Sequence, residues 1–347
     1  MLVDRRHPVV SARFWKRLAS ISLALMVLSL LSIAPYLTSS TELVRLRNAM
    51  VLEPSTADDF LWSPENIPVG FRNESSAPDP FFTTKAEQLG LNQIGSDWGK
   101  VLAISSHLLE NPKPRGPPIQ SDLKTTYDHI VNRGEGYCGD YTRVFMAFAI
   151  AAHIPVRAWA FSFDGFGGHG HIWPEIWNRE LKRWQLISTF NNGFFHRGDG
   201  VAISALELRR AMFENPRTIR FSLLHAEKTP GFVIEEKLWD YVRRGIPEWY
   251  LLWGNDVYTY DRTVARLKLT QAKGLSHALE QLGAIVTDAY PHIKILETAE
   301  NERQTRHLWY LRWQLFAVAL ICLLASVGLA VAMIQWLRNR RMLGRHT

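Results

Sequence analysis

Cys138 lies in the motif GYCGDY, residues 136–141, and is the best candidate for a nucleophile in the chain. The stretch that follows, DYTRVFMAFAIAA, is apolar with helical spacing, so we expect the thiol at the N-terminus of a helix. Unpaired N–H groups and the positive end of the helix dipole stabilise a thiolate there and lower its pKa. The same groups can receive the oxyanion of an acyl intermediate. The alternative role is a small buried hydrophobic residue.

The motif GGHGHIWPEIW, residues 167–177, supplies two candidates for the base that such a thiol requires. His171 begins an alternating pattern typical of a strand, with Trp173 and Glu175 on the same face. A neutral imidazole beside the thiol takes its proton and returns it to the leaving group. His169 is the second candidate. Metal binding by His-Gly-His is the competing interpretation, but no His or acidic residue stands at a spacing that completes a zinc site.

The composition is that of a folded protein with two basic tails. Of 347 residues, 47% are hydrophobic and 21% are charged, which excludes collagen-like, disordered and disulfide-framework classes. The net charge is +7, but nine basic residues and one acid lie in residues 1–17 and 337–347. The rest of the chain has 31 basic and 32 acidic residues. Because the basicity belongs to the tails, we expect no nucleic-acid partner.

Two uncharged apolar segments, residues 18–37 and 315–336, have the length that crosses a membrane. Lys and Arg lie outside both segments, so we expect both termini in the cytoplasm and a two-pass protein of the inner (plasma) membrane. The main domain is then exported, on the periplasmic or extracellular side. The predicted order is a basic tail (1–17), a transmembrane helix (18–37), an exported N-terminal region (38–120), a core domain (121–205), a mostly helical exported region (206–308), a transmembrane helix (309–337) and a basic tail (338–347).

A cleaved signal peptide is the alternative for the first apolar segment. The apolar run exceeds the 7–15 residues of the apolar region of a signal peptide, and Ala34 is followed by Pro35, which should hinder cleavage there. Either way the middle of the chain is exported. Since Cys322 lies in the second span, Cys138 is the one thiol of the exported segment, and an unpaired thiol in that setting is either reactive or incidental.

The central segment predicts an α+β domain. A helix over residues 121–133 and a Gly-containing break precede the helix that starts at Cys138. Three alternating runs, VRAWAFSF, HIWPEIW and RWQLISTF, follow as strands of an antiparallel sheet. We therefore expect a helix bearing the cysteine packed on an antiparallel sheet, flanked by two transmembrane helices.

The order of these motifs resembles the transglutaminase-like superfamily, in its bacterial membrane-anchored type. The resemblance covers about residues 121–195. It consists of Gly-x-Cys, an apolar helix, Ile-Pro-Val-Arg at 154–157, His-x-Trp-x-Glu at 171–175 and Trp-Gln-Leu-Ile at 184–187. It implies a papain-like Cys-His-Asp arrangement, with the nucleophile at a helix N-terminus and the other two residues on neighbouring strands. Members of the family act as transglutaminases, proteases, amidases or peptide glycanases.

One departure from the family concerns the third catalytic residue, because Ser188 stands where Asp is expected. A hydroxyl accepts a hydrogen bond but carries no charge, so it is a weaker partner for the imidazole. Asn191 and Asn192 are candidates for a neutral group that orients the His. Aspartates and glutamates nearby do not stand at the matching position. The predicted catalytic set is Cys138, His171, Ser188 and Asn191.

Three functions are compatible with these residues. The first is a cysteine-dependent, protease-like amide hydrolase or acyl transferase that acts on an exported peptide or envelope component. The second is a catalytically impaired domain that serves as a binding or assembly module in envelope or exopolysaccharide biosynthesis. The third is a structural anchor. We expect the substrate to be a peptide, a protein or an envelope glycan, and we expect contact with membrane lipid. We expect no cofactor and no metal. The sequence leaves the oligomeric state open.

The charge distribution generates a test of the topology. Alkaline phosphatase fused after residue 120 should be active, because that point is predicted to be exported, and a fusion after residue 347 should be inactive. Enzyme activity of each fusion in intact cells is the measurement. An inactive fusion at residue 120 contradicts the predicted orientation.

Overall fold

The computed structural model of the protein describes residues 12–114, 116–119, 121–225, 228–267 and 282–343. Parts of the predicted tails (1–11 and 344–347) and of the region expected to be mostly helical (268–281) lie outside these residues. The helices used below are α1 (Ala12–Ile33), α2 (Ser40–Met50), α3 (Pro80–Gln88), α4 (Asp97–Leu108), α5 (Leu123–Asp128), α6 (Cys138–Ala151), α7 (Ala205–Glu214), α8 (Glu235–Gly245), α9 (Val257–Leu267) and α10 (Glu302–Leu343). The strands are β1 (Leu52–Glu53), β2 (Val156–Ser162), β3 (Gly170–Asn178), β4 (Arg183–Leu186), β5 (Gly193–His196), β6 (Arg220–Leu223), β7 (Glu248–Leu252) and β8 (Ile293–Ile295).

The main sheet has six strands in the order β1-β8-β7-β2-β3-β4. Strand β2 runs antiparallel to both β3 and β7, and only the edge pair of β1 and β8 is parallel. The predicted α+β class and the antiparallel run of β2, β3 and β4 are confirmed. The sequence did not reveal β7 and β8, because these runs of three to five mostly buried residues show no long alternation.

Helix α6 packs on the sheet and begins at Cys138, as predicted. Tyr137 is extended at the N-cap position, and the Asp140 carboxylate accepts its N–H at 2.9 Å, which closes the first turn. Buried side chains of α6 share one cluster with α3, α4 and α5, including Phe82, Val101, Ile104, Leu108, Leu123, Val144, Phe145 and Phe148. Burial on several sides therefore fixes the position of the helix N-terminus.

The opposite face of the sheet contains a buried ion pair. Glu175 on β3 is fully buried and accepts a hydrogen bond from Arg157 Nε at 2.6 Å and from Trp159 Nε1 at 2.9 Å. Its second oxygen accepts the N–H of Ala205 at the start of α7, at 2.7 Å. The Arg157 guanidinium also lies 4.0 Å from the ring centre of Trp184. One carboxylate thus joins β2, β3 and α7.

Two helices at the ends of the chain are long and apolar enough to cross a membrane, Arg13–Leu37 and Glu302–Asn339. They pack against each other in an antiparallel way. Gln314 Nε2 donates to the carbonyl of Ser32 at 3.1 Å, and Ser29 Oγ lies 3.5 Å from Cys322 Sγ. Gly328 lies against Ser22 further along the pair. Both helices therefore meet the folded domain at one end of the pair.

Helix α2 lies at the end of the helix pair that meets the domain. Just before α2, Tyr36 Oη is 3.5 Å from His307 Nε2, and at its end Arg312 donates to the carbonyl of Met50 at 2.9 Å. Apolar side chains of α2, β8 and α10 form one buried cluster that includes Leu46, Ala49, Ile293, Ile295, Leu308 and Leu311. The β1–β8 edge of the sheet therefore rests on α2 and on the start of α10.

The buried ion pair predicts a stability effect. Glu175→Gln leaves the Arg157 charge buried without its counterion, so the free energy of unfolding should fall by about 3 kcal/mol or more. Glu214→Gln is the matched control, because Glu214 pairs with Arg210 at the surface and its loss should change stability by less than about 0.5 kcal/mol. Urea unfolding of the detergent-solubilised chain, followed by tryptophan fluorescence, gives both values. Equal effects of the two substitutions contradict the role assigned to the buried pair.

Candidate functional site

Cys138 is half-buried at the first position of α6. Burial raises the pKa of its thiol to about 11, the backbone N–H groups of Ile172 and Gly139 lower it in part, and the Asp140 carboxylate raises it further. The sequence predicted a lowered pKa from the helix terminus, and that prediction is wrong. The cost of burying a thiolate outweighs the N–H groups that face the sulfur, so the resting thiol is protonated at neutral pH.

His171 lies on β3 opposite Phe161 of β2 and is buried. Its ring stands perpendicular to that of Trp173 at a centre distance of 4.9 Å, and the rings of Phe161, Phe190 and Tyr241 lie about 6 Å away. Burial lowers the pKa of the imidazole to about 3. His171 is therefore neutral at physiological pH, as a general base requires.

Asn191 is the residue that contacts the imidazole. Its Nδ2 lies 3.4 Å from Nε2 of His171 and donates to Ser188 Oγ at 2.9 Å, while its Oδ1 accepts the N–H of Phe232 at 3.3 Å. Gly231 permits this approach, because a Cβ there would lie 2.1 Å from the Asn191 oxygen. Ser188, at the expected position of the family Asp, thus holds Asn191 by its side chain.

The other candidates of the sequence analysis have different roles. Asn192 has a left-handed backbone, and its side chain bonds the backbone of His225 and Lys228, each at 2.9 Å. His169 is exposed, and its Nδ1 lies 3.1 Å from Asp164 Oδ2. Neither contact involves His171 or Cys138. The structure therefore brings Asn191 to the imidazole and leaves Asn192 in the turn.

Cys138 and His171 line one cavity of about 340 Å³, a size typical of small-molecule sites. Its lining is mainly apolar and comes from α2, α6, α9, β2, β3, β7 and β8 and from the segments between them. Besides the two named residues, the lining includes Val44, Arg47, Asn48, Tyr137, Asp140, Arg143, Tyr250, Leu252, Asp256, Tyr290 and Ile293. Among the described residues, no group of three or more His, Cys, Asp or Glu side chains is arranged to hold a metal ion.

Sequence reasoning gave no role to three residues of the site. Asp140 stands in the cysteine motif and raises the thiol pKa. Tyr241 on α8 donates its hydroxyl to the carbonyl of Gly170, beside His171. Arg47 on α2 lines the cavity from far upstream in the chain. No local motif marks Tyr241 or Arg47, because the fold alone brings α2 and α8 to the site.

Part of the chain matches the model of a known family. Residues 87–189 match the family model of the transglutaminase-like superfamily. The chain contains a transglutaminase-like domain. The match includes Cys138, His171 and Ser188, ends two residues before Asn191, and starts at residue 87, within the region that the sequence analysis assigned to the exported N-terminal segment. No curated protein matches the sequence.

Helix α4 packs against α6 within the range that the family model matches. Helix α4 lies inside the matched range, and its buried residues Val101, Ile104 and Leu108 share a core with α6. The motif-bearing segment starts after α4, so it lacks one of the helices that bury α6. Helix α4 therefore contributes to the core that buries α6.

The raised thiol pKa predicts the pH dependence of alkylation. Because only the thiolate reacts, the rate of Cys138 alkylation by iodoacetamide should rise with pH and reach half its limit near pH 11. At pH 8 it should be about a thousandth of that limit. Asp140→Asn should shift the midpoint to lower pH, because it removes a negative charge near the sulfur. Mass spectrometry of the Cys138 peptide gives the rates, and a midpoint at or below about 8.5 contradicts the prediction.

Proposed function

We propose that the protein is a membrane-anchored, cysteine-dependent amide hydrolase or acyl transferase that acts on an exported peptide, protein or envelope component. The observation that carries this proposal is the cavity shared by Cys138 and His171, with Asn191 on the Nε2 side of the imidazole. A thiol, a neutral base and a neutral orienting amide form the set used by Cys-His-Asn enzymes. The transglutaminase-like fold gives the same expectation of acyl chemistry.

The proposed reaction begins from a neutral thiol and a neutral imidazole. As Cys138 Sγ bonds to the carbonyl carbon, the thiol proton moves to Nδ1 of His171 and the carbonyl oxygen becomes an oxyanion near the first turn of α6. The C–N bond then breaks, the imidazolium gives its proton to the leaving amine, and a thioester remains. Water or a second amine attacks the thioester, which yields an acid or a new amide and restores the thiol.

Proton transfer must accompany the attack of sulfur. Burial raises the thiol pKa to about 11 and lowers the imidazole pKa to about 3, so a thiolate–imidazolium pair is disfavoured before substrate arrives. A substrate that expels water and accepts charge at its carbonyl oxygen makes the transfer favourable only during the reaction. The site therefore resembles a serine hydrolase in its protonation state more than an enzyme with a preformed ion pair.

The orientation of Asn191 favours a second candidate function. Its Nδ2 donates toward His171 Nε2, which stabilises the tautomer with the proton on Nδ1, and that tautomer has no lone pair on Nδ1 for the thiol proton. Rotation of the amide would offer Oδ1 to Nε2 but would break the bond from Phe232 N–H. This arrangement supports a catalytically impaired domain that serves as a binding or assembly module in envelope or exopolysaccharide biosynthesis.

The test uses acylation of Cys138 by p-nitrophenyl acetate in the detergent-solubilised full chain. His171→Ala should lower the acylation rate at pH 7 by about 10²-fold or more, because it removes the general base. Asn191→Asp should raise the rate, since a carboxylate accepts from Nε2–H and favours the tautomer that leaves Nδ1 free. Release of p-nitrophenol and the mass of the Cys138 peptide report acylation.

The matched control is Asn215→Asp, which adds the same charge at a helix cap whose side chain accepts the N–H of Arg217. It should leave acylation at the wild-type rate. If His171→Ala acylates as fast as the wild type, Cys138 and His171 are not coupled, and the binding-module function replaces the enzymatic one. Thermal unfolding of each variant shows whether a lost rate reflects loss of the fold.

A further inference from the structure

The cavity of Cys138 is bordered by the part of the domain that lies next to the membrane helices. Val44, Arg47 and Asn48 of α2 line it, together with Ile293 of β8. Contacts to the start of α10 flank α2 on both sides, from Tyr36 to His307 and from Met50 to Arg312. Two residues, Trp313 and Gln314, separate Arg312 from the second apolar segment. Helix α2 therefore lies beside the end of the long apolar helix pair that meets the domain.

Arg47 supplies a positive charge to this cavity. Its guanidinium lies 4.7 Å from the ring centre of Tyr290, and its polar contacts are to Asn48 Oδ1, at 3.3 and 3.4 Å. In the described part of the chain no carboxylate lies within 4 Å of it. The other charged groups of the lining are engaged, since Asp256 pairs with Arg72 and Arg143 pairs with Asp261.

The remaining charge in the lining, on Asp140, is committed to the backbone. Its carboxylate accepts the N–H of Ile119 at 3.1 Å and that of Tyr137 at 2.9 Å. Arg47 is thus the charged side chain of the cavity that is placed to bind a further group. A half-buried guanidinium beside apolar walls favours an anion, because charge-assisted hydrogen bonds to arginine are strong in such a setting.

We infer that the occupant of this cavity is an amphiphile from the same membrane whose amide stands next to an acidic headgroup, which Arg47 binds. This inference rests on the proposed function and names the substrate class of that site. The apolar residues Val44, Tyr250, Leu252 and Ile293 receive the apolar part, Arg47 receives the anion, and Cys138 meets the amide. The membrane anchor then keeps the site at the depth where such a molecule is presented.

The experiment uses the full chain in phosphatidylcholine vesicles and two lipid reagents with the same iodoacetamide group. N-iodoacetyl phosphatidylethanolamine carries an anionic phosphate, and N-iodoacetyl octadecylamine carries no charge. The ratio of their rates of Cys138 alkylation at pH 9 isolates anion binding from thiol reactivity. It should favour the anionic reagent by about tenfold in the wild type, near the lower limit for a hydrogen bond to a charged group.

Variants assign the selectivity to Arg47. Arg47→Gln should bring the ratio close to one, and Arg47→Lys should restore part of it because the charge is kept. Arg210→Gln is the matched control, since Arg210 is exposed and pairs with Glu214 away from the cavity, and it should keep the wild-type ratio. Equal rates for the two lipid reagents in the wild type overturn the inference.

A further arm separates the alternatives. It compares the rates of Cys138 alkylation by iodoacetate and by iodoacetamide, each divided by the rate of the same reagent with glutathione. If this comparison depends on Arg47 while the lipid reagents fail to label Cys138, the occupant is a soluble acidic peptide, and the assignment to a membrane amphiphile is wrong. The lipid selectivity is read from alkylation of Cys138, which needs binding and no turnover. Loss of coupling in the acylation test therefore leaves this result unaffected, and the two proposals fail independently.

Discussion

The buried pair of Arg157 and Glu175 is the interaction on which the site is built. It joins β2 to β3 and fixes the start of α7, and its removal would leave one charge alone in a shell of indole rings. His171 lies on the same strand and the same face as Glu175, two alternate positions earlier. The Arg157–Glu175 pair fixes the register of β3, and this register also fixes the face to which the imidazole of His171 points.

Burial, more than charge, sets the chemistry of the site. The thiol and the imidazole are both held in their neutral forms because their charged forms lose solvation. A carboxylate at the Ser188 position would change this balance, but the chain has a hydroxyl there that supports Asn191. The result is a site in which hydrogen-bond direction decides whether His171 can accept a proton. The carboxamide of Asn191 carries no charge, but its orientation therefore decides whether His171 can accept the thiol proton.

Helix α2 connects the two long apolar helices to the strand of His171. The β2–β3 loop docks on α2, where Asn48 Nδ2 donates to the carbonyl of Phe166 at 2.8 Å and Gly168 N–H donates to the carbonyl of Thr41 at 3.2 Å. Gly168 is required at this contact, because a Cβ would lie 2.9 Å from Thr41 Cα. The same helix lines the cavity and rests on α10. The domain and the helix pair are thus joined at the wall of the site.

Patterns in the sequence determined those features of the protein that depend on residues close together in the chain. The GYCGDY motif placed Cys138 at the start of a helix, alternation identified β2, β3 and β4, and two uncharged runs identified the long apolar helices. Each of these features follows from spacing within about 20 residues, which a sequence shows directly.

Contacts between distant segments were decided by the tertiary structure alone. The choice of Asn191 over Asn192 depends on a left-handed turn and on Phe232, and the thiol pKa depends on how much protein surrounds Cys138. The sequence correctly placed Cys138 at a helix N-terminus, but it carried no measure of burial, so the direction of the thiol pKa shift was predicted wrongly. Solvation is a property of the packed molecule, so the electrostatic state of the site could be known only once the fold had brought its walls together.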